Sequence, residues 1–210
     1  MTNAPDTRTR LMDAAFNLIW QGSFHASGVA EICAHAQVHK GSFYHFFKSK
    51  SDLAAAAVYS QWERMQQVVF TPAAEDGPHG LQRLRCLIDT IVEQAHACSD
   101  PDHGFPGCPF GNIGQEMACQ DEQLQRIMRQ IFSEHIDYFE QILAEAVARR
   151  EIEPGNLRDR AQSIFAILQG GFLLAKVTND LDCLTRAARA VYPAIQSDPD
   201  RTLHCPRQQT

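Results

Sequence analysis

The sequence lacks the features that mark a membrane protein or a secreted one. No uninterrupted apolar run approaches the roughly 18 residues that a transmembrane helix needs. The N-terminal segment, MTNAPDTRTR, is polar and lacks the apolar core of a secretory signal. We therefore expect a cytoplasmic globular protein with no membrane partner.

Positive charge is also scarce. The formal net charge of the 210 residues is −6, whereas an architectural DNA protein carries a large positive charge. The charge is unevenly distributed, because residues 1–53 carry +1 and the remainder −7. Four of the nine histidines also fall in the first segment. This asymmetry permits local DNA binding and argues against a protein that coats DNA.

Paired cysteines are missing as well. The seven cysteines are odd in number and include no Cys-x-x-Cys pair, which argues against a disulfide framework and against a zinc site. No metal or other cofactor is expected. Because free cysteines are usually buried, the sequence predicts reduced, mostly buried thiols.

Strand-like alternation of apolar and polar residues is absent, whereas helical spacing recurs along the chain. Leu11, Ala15, Leu18 and Ile19, for example, share one face of a helix that ends near Gly22. The spacing predicts an all-α fold of about nine helices, with further helices near 27–35, 40–46, 51–70, 81–92, 110 onward, 121–150, 157–178 and 181–195. Pro- and Gly-rich segments predict loops at 71–80 and 99–109, and a polar tail at 197–210 is predicted to be disordered.

Two short helices joined by a three-residue turn predict a helix-turn-helix within Gly28–Leu53, GVAEICAHAQVHKGSFYHFFKSKSDL. In such a motif the second helix lies in the major groove of DNA. Six apolar residues have the spacing to form the buried inner face: Val29, Ile32, Val38, Phe43, Phe46 and Phe47. The residues left outside are small, cationic or hydrogen-bonding, and suit phosphates and base edges: His39, Lys40, Ser42, Tyr44 and His45.

This segment resembles the DNA-binding domain of the tetracycline-repressor (TetR) family. The family signature is Gly-Val-Ser-Lys-Gly-(Ser/Thr)-hydrophobic-Tyr-His-(Tyr/Phe)-Phe, followed by x-(Ser/Asn)-Lys-x-x-Leu. The chain matches it at Lys40, Gly41, Ser42, Phe43, Tyr44, His45, Phe46, Phe47, Ser49, Lys50 and Leu53. It departs from the family at Gln37, where a turn glycine is common, and at His39, where Ser or Thr usually caps the helix.

The resemblance implies roles for individual residues. Gly41 would let the backbone approach DNA closely, and Tyr44 and Lys50 would contact phosphates. Ser27 would cap the second helix and present its hydroxyl to a phosphate. His39, Lys40, Ser42 and His45 are candidates for base or backbone contacts. Two alternatives stay open, since Tyr44 could be only a packing aromatic and Lys50 only a solvated charge.

The resemblance also implies two domains and a regulatory cycle. Residues 1–50 would bind a double-stranded, palindromic DNA operator, and residues 51–196 would form a homodimer and enclose a small-molecule effector. The expected function is that of a repressor released from its operator by the effector, although an activator is an alternative within the same family.

The candidate dimer helix spans 161–177, AQSIFAILQGGFLLAKV, and is apolar around much of its circumference. Gly170 and Gly171 would allow close approach of a partner helix, with Ile167 and Leu174 beside them. The alternative is a central core helix of the monomer.

The segment 104–120, GFPGCPFGNIGQEMACQ, resembles a Gly-Cys-Pro-x-Gly-Asn stretch near the effector region of some TetR-family regulators. The effector-site candidates here are Cys108, Phe110, Asn112 and Cys119. Cys108 is either a packed residue or a sensor of electrophiles and oxidants, because a helix N-terminus favours thiolate. Cys119 is expected three turns along the same helix face.

A helical enzyme is the main rival from another class, on the strength of Glu134, His135 and Asp137. Neighbouring residues in a helix point about 100° apart, so Glu-His-x-Asp does not converge on one site. No catalytic residue is therefore predicted.

Overall fold

The computed structural model describes residues 6–70, 79–100 and 102–196. These residues form nine α-helices and no strand, which confirms the predicted all-α fold. The helices are α1 Thr7–Gln21, α2 Val29–His35, α3 Lys40–Phe46, α4 Lys50–Met65, α5 Gly80–Ala97, α6 Pro109–Met117, α7 Glu122–Ala148, α8 Leu157–Thr178 and α9 Asp182–Gln196, with a π-helical turn, Gln66–Phe70, continuing α4. Most of the predicted 71–80 loop and the whole predicted tail at 197–210 lie outside the described residues.

Side-chain caps set the starts of several helices. Ser49 accepts a hydrogen bond from the amide of Asp52 at 3.0 Å, and the Asp52 carboxylate accepts one from the amide of Lys48. Asp121 and Asn156 cap α7 and α8 in the same way. Such caps satisfy amides that have no partner within the helix, which is why these boundaries can be read from local sequence.

The predicted cap of α2 is wrong. Gly28, not Ser27, is the N-cap residue, and it provides no side-chain hydrogen bond. The Ser27 hydroxyl instead donates to the carbonyl of Ser23 at 3.0 Å, and the residue is buried. Its hydroxyl is therefore engaged inside the turn between α1 and α2 and does not face outward.

The helices share one main core. Helix α1 packs on α2, α4 and α6. Helix α4 also packs on α7, α7 packs on α8, and α8 packs on α9. Buried side chains run without interruption from the helix-turn-helix to the larger helices, from Leu11 and Phe43 through Trp62 and Phe110 to Phe139. The helix-turn-helix is thus joined to the larger helices by packed side chains as well as by the chain itself.

Burial corrects two sequence-based expectations. Phe46 is 38 % exposed instead of buried, because Phe43 and Phe47, four residues apart, already fill the inward side of this short helix. Among the described cysteines only Cys33 and Cys108 are buried, so the prediction of mostly buried thiols is wrong.

Helix α8 is long and apolar enough to cross a membrane by length and composition. Core helices of globular proteins pass the same test, and α8 packs on α7 and α9.

Candidate DNA interface and regulatory cavity

The outward side of α3 carries the residues predicted to read DNA. His39, Lys40, Gly41, Tyr44 and His45 are exposed and Ser42 is half-buried. Positions 40, 41, 44 and 45 lie within roughly 140° of the helix circumference. Tyr44 is 60 % exposed, with the edge of its ring against Phe43, so it has not been drawn into the core. The arrangement gives a compact surface of cationic and hydrogen-bonding groups.

Backbone geometry at the turn agrees with two of the noted departures. Gln37 has φ of 54°, the left-handed conformation for which glycine is usual. His39 occupies the N-cap of α3 without a side-chain hydrogen bond to the helix. A Cβ atom added at Gly41 would meet no further atom of the described residues within 4 Å. Packing within the monomer therefore does not require glycine there, which is compatible with close approach by another molecule.

Lys50 has a structural contact that the sequence did not predict. Its ammonium group donates to the carbonyls of Phe24 at 2.7 Å and Ser27 at 3.2 Å, and lies 4.1 Å from the centre of the Phe24 ring. Lys50 thus ties α4 to the loop between α1 and α2. Its phosphate contact stays a prediction, but the alternative of a merely solvated charge does not describe this conformation.

A cavity of about 190 Å³ lies where α1, α4, α5, α6, α7 and α8 meet. Eight of its lining residues are aromatic: Phe16, Trp20, Phe70, Phe105, Phe110, Phe139, Phe165 and Phe172. Among the described residues, its wall includes no lysine, arginine, aspartate or glutamate. The polar side chains are few, namely Gln61, Gln94, His135 and Gln169, together with two thiols. A largely apolar wall with a few polar groups is typical of small-molecule sites.

Cys108 lies in the wall of this cavity and is the N-cap of α6, as predicted. Its sulfur accepts from the amide of Gly111 and from Nε2 of Gln169, both at 3.4 Å. Burial nevertheless raises the pKa of the Cys108 thiol, because desolvation of the thiolate outweighs these hydrogen bonds. The expected stabilisation of a thiolate by the helix N-terminus is therefore not the net outcome.

Of the other predicted effector residues, one lines the cavity and two lie outside it. Phe110 is buried in the cavity wall. Asn112 lies outside it, with its amide donating to the carbonyl of Pro106 at 2.7 Å. Cys119 is exposed and also outside the wall, because α6 ends at Met117 and the helix face expected to carry it does not continue. Two of the four predicted residues thus belong to the cavity.

Helix α6 connects the cavity to α1 and to the loop between α1 and α2. At its N-terminal side, the indole of Trp20 on α1 donates to the carbonyl of Gly107 at 2.9 Å. At its other end, the Glu116 carboxylate accepts from the amides of Phe24 at 3.0 Å and His25 at 3.3 Å. Hydrogen bonds to an ionised acceptor are among the stronger ones in proteins. A shift of α6 would therefore be transmitted to the loop that precedes α2.

The residues of the enzyme alternative are dispersed into separate contacts. His135 is buried against Trp62, with the two ring centroids 4.2 Å apart. Glu134 accepts from the Trp62 indole, and Asp137 pairs with Arg158. No group of three potential metal ligands occurs among the described residues. The three side chains form no common site.

The outward side of α8 is an apolar strip, which we define as Gly170, Leu173, Leu174 and Val177. These residues are exposed, and the exposed fraction of the residue reaches 74 % at Val177. Ile167 is half-buried beside the strip. Gly171 does not belong to it, because a side chain there would come within 2.6 Å of Ala187 and 3.1 Å of Leu184 on α9. It forms a close contact between α8 and α9 within one chain, so its predicted place in a dimer interface stays a prediction that this packing does not support.

Comparison with known families shows to which family this chain belongs. Residues 11–57 match the model described as bacterial regulatory proteins, tetR family, and residues 80–191 match the tetracyclin repressor-like C-terminal domain. The chain belongs to the TetR family. It is accordingly a DNA-binding transcriptional regulator of the helix-turn-helix type, as the sequence predicts.

Individual relatives cover most of this TetR-family chain. An HTH-type transcriptional regulator in the lacX 3′ region of Lactococcus lactis subsp. lactis is 26 % identical, covering 87 % of this chain and 89 % of that protein. The HTH-type transcriptional repressor DhaR of Mycobacterium sp. is 22 % identical, covering 90 % of this chain and 91 % of that protein. The crystal structure of reduced E. coli NemR has a TM-score of 0.76 and 25 % identity, covering 92 % of this chain and 99 % of that one.

Sequence reasoning did not predict the contacts of Glu116, Trp20 and Gln169. Their partners lie 92, 87 and 61 residues away in the chain. Periodicity and short motifs carry no information on such pairings. The one available signal was for Gln169, a polar residue within the largely apolar stretch of α8, and such residues are too common to identify a site.

Proposed function

We propose that this TetR-family regulator is a homodimeric repressor that leaves a palindromic operator when a small molecule occupies the cavity. The observation that carries the proposal is α6, which forms part of the cavity wall and also holds the α1–α2 loop through Glu116. A ligand that favours one position of α6 would shift the population away from the DNA-binding state. The name of the relative DhaR supports repression over activation.

Within this proposal, residues 1–50 bind DNA, and residues 51–196 bind the effector and form the dimer in the cytoplasm, without catalytic activity. The apolar strip on α8 is the proposed contact with the second copy, which would bring two α3 helices to one palindrome about one DNA turn apart. An exposed strip of large apolar side chains on a helix supports such an interface.

A reversible ligand is favoured over a thiol adduct as the signal. Reaction at Cys108 requires an accessible thiolate. The thiol is buried and its pKa is raised by that burial. Cys108→Ser should therefore leave release by the effector intact.

DNA binding is tested with α3 variants. We expect Lys40→Ala and Tyr44→Phe each to weaken operator affinity about tenfold, because each removes a phosphate or base contact. Lys40→Ala should also lower the slope of log affinity against log salt by about 1. Fluorescence anisotropy on a fragment selected from random DNA by the wild-type protein measures both quantities.

The matched control is Arg149→Ala, which removes one exposed charge at the far end of α7. It should bind the same fragment as tightly as the wild type. Full affinity in a Lys40→Ala/Tyr44→Phe double variant would refute the assignment of α3 as the DNA-reading helix.

The link through α6 is tested by hydrogen exchange. Glu116→Ala removes the acceptor of the Phe24 and His25 amides, so we expect these two amides to exchange at least about tenfold faster. Glu122→Ala, which changes an exposed carboxylate at the start of α7, is the control and should leave them unchanged. Unaltered protection in Glu116→Ala would show that the loop is held by other contacts.

A further inference from the structure

The size and wall of the cavity restrict what it can bind. Its volume of about 190 Å³ exceeds the roughly 150 Å³ of an engineered protein cavity that binds benzene. Eight aromatic residues line it, and no charged side chain does so among the described residues. An ionised ligand would lose its hydration without gaining a counter-charge, which is unfavourable. The cavity therefore suits one uncharged ring with small substituents.

His135 supplies a directional polar group in this wall. Its Nδ1 lies 2.8 Å from the carbonyl oxygen of Ile131. A carbonyl can only accept, so Nδ1 must carry the hydrogen of this bond. The ring is fixed between Trp62, Phe70 and Phe165, at centroid distances of 4.2, 5.5 and 5.5 Å.

The second ring nitrogen is consequently an acceptor. Burial lowers the pKa of His135 to about 4, so the ring is neutral near pH 7. In a neutral imidazole with hydrogen on Nδ1, Nε2 carries only a lone pair. No hydrogen-bond partner of Nε2 occurs among the described residues, although His135 lines the cavity. A ligand that donates a hydrogen bond would satisfy this atom.

His135 differs from the three glutamines of the wall, because both its position and its role as an acceptor are fixed. Gln169 is already engaged, since its amide donates to Cys108, and its oxygen lies beside Gly111. Gln61 and Gln94 have flexible side chains whose amide groups can either donate or accept. Nε2 of His135 accepts only, and its position is set by the surrounding rings.

We propose that the cavity binds an uncharged, single-ring aromatic alcohol, whose hydroxyl donates a hydrogen bond to Nε2 of His135. This inference deepens the proposed function, on which it rests, because it gives the chemical class of the effector for the same cavity. The aromatic wall contacts the ring, and the hydroxyl pairs with Nε2 of His135, an acceptor whose position the surrounding rings fix.

Binding is measured by titration calorimetry of the full chain with phenol, toluene and benzoate. Phenol and toluene differ by a hydroxyl against a methyl group, and benzoate tests the exclusion of charge. We expect phenol to bind and benzoate not to bind. In His135→Phe, which keeps a ring of similar size, the ratio of toluene to phenol dissociation constants should fall about tenfold, the contribution of one buried hydrogen bond.

Gln94→Leu is the matched control, because it removes another polar group of the same wall. It should preserve the wild-type ratio. A fall in Gln94→Leu but not in His135→Phe would overturn the role of His135. Undetectable phenol binding, or benzoate binding more tightly than phenol, would overturn the ligand class in the wild-type protein even if neither variant folds.

The same samples separate this inference from the proposed function. Operator release is measured by anisotropy after phenol is added. Release by some other compound, without phenol binding, would overturn the ligand class and leave the repressor intact. Phenol binding that depends on His135 without operator release would support the ligand class and count against release through this cavity.

Discussion

Gly171→Arg is expected to abolish the folded monomer, whereas Gly170→Arg is expected to keep the fold and abolish the dimer. At Gly171 a side chain would overlap Ala187 and approach the backbone of Leu184. An unpaired buried charge and overpacking there destabilise by about 3–5 kcal/mol. That is a large fraction of the roughly 5–15 kcal/mol of a typical domain. At Gly170 an added Cβ atom would meet no further atom within 4 Å in the part of the chain that the structure describes.

Circular dichroism melting and sedimentation distinguish the two variants. Gly171→Arg should show no cooperative transition near the wild-type temperature, and Gly170→Arg should sediment as a folded monomer. A folded dimer of Gly170→Arg would refute the apolar strip on α8 as the interface. A stable, monomeric Gly171→Arg would instead restore Gly171 to the interface and contradict its contact with α9.

Lowering the pH is expected to destabilise the fold by about 3 kcal/mol through His135 alone. The pKa of this residue falls from 6.5 to about 4 on folding, chiefly because burial disfavours the charged ring. A lowered pKa means that the unfolded chain binds the proton first. The contribution of His135 is therefore complete above about pH 6.5, decreases as the pH falls towards 4, and changes no further below that.

Urea unfolding of the wild type and His135→Phe at about pH 7 and about pH 5 measures this effect. We expect the wild type to lose about 2 kcal/mol more than His135→Phe between these pH values. His103→Phe, which changes an exposed histidine, is the control and should behave as the wild type. Equal losses in wild type and His135→Phe would mean that the imidazole is not held neutral by the core.

The sequence predicts the helices well because their signals are local. The predicted bounds of α3 and α8 agree with the structure at both ends. In α8, Asn156 supplies the N-cap and Asn179 closes the helix with φ of 51°. Caps and a 3.6-residue period act within a few residues, so they can be read without knowledge of the tertiary structure. The same holds for the TetR-family motif, which lies within one short segment.

The burial of individual side chains was predicted less well, since neighbours from other helices decide it. Phe46 and Phe47 are adjacent and equally apolar, yet only Phe47 is buried. Gly170 and Gly171 are likewise adjacent, and α9 covers only the second. Successive side chains on a helix point about 100° apart. Two adjacent residues of the same type can therefore differ, one being buried and the other exposed.

By itself the sequence determined the all-α fold, the position of the helix-turn-helix and the membership of the family. Only the tertiary structure decided where the cavity lies, that Lys50 and Glu116 hold the α1–α2 loop, and that Cys108 is a buried thiol. The reason is the range of the interactions. Helix formation and capping join residues up to four positions apart, whereas the cavity brings Trp20 together with Phe172 across six helices, and no local pattern encodes that meeting.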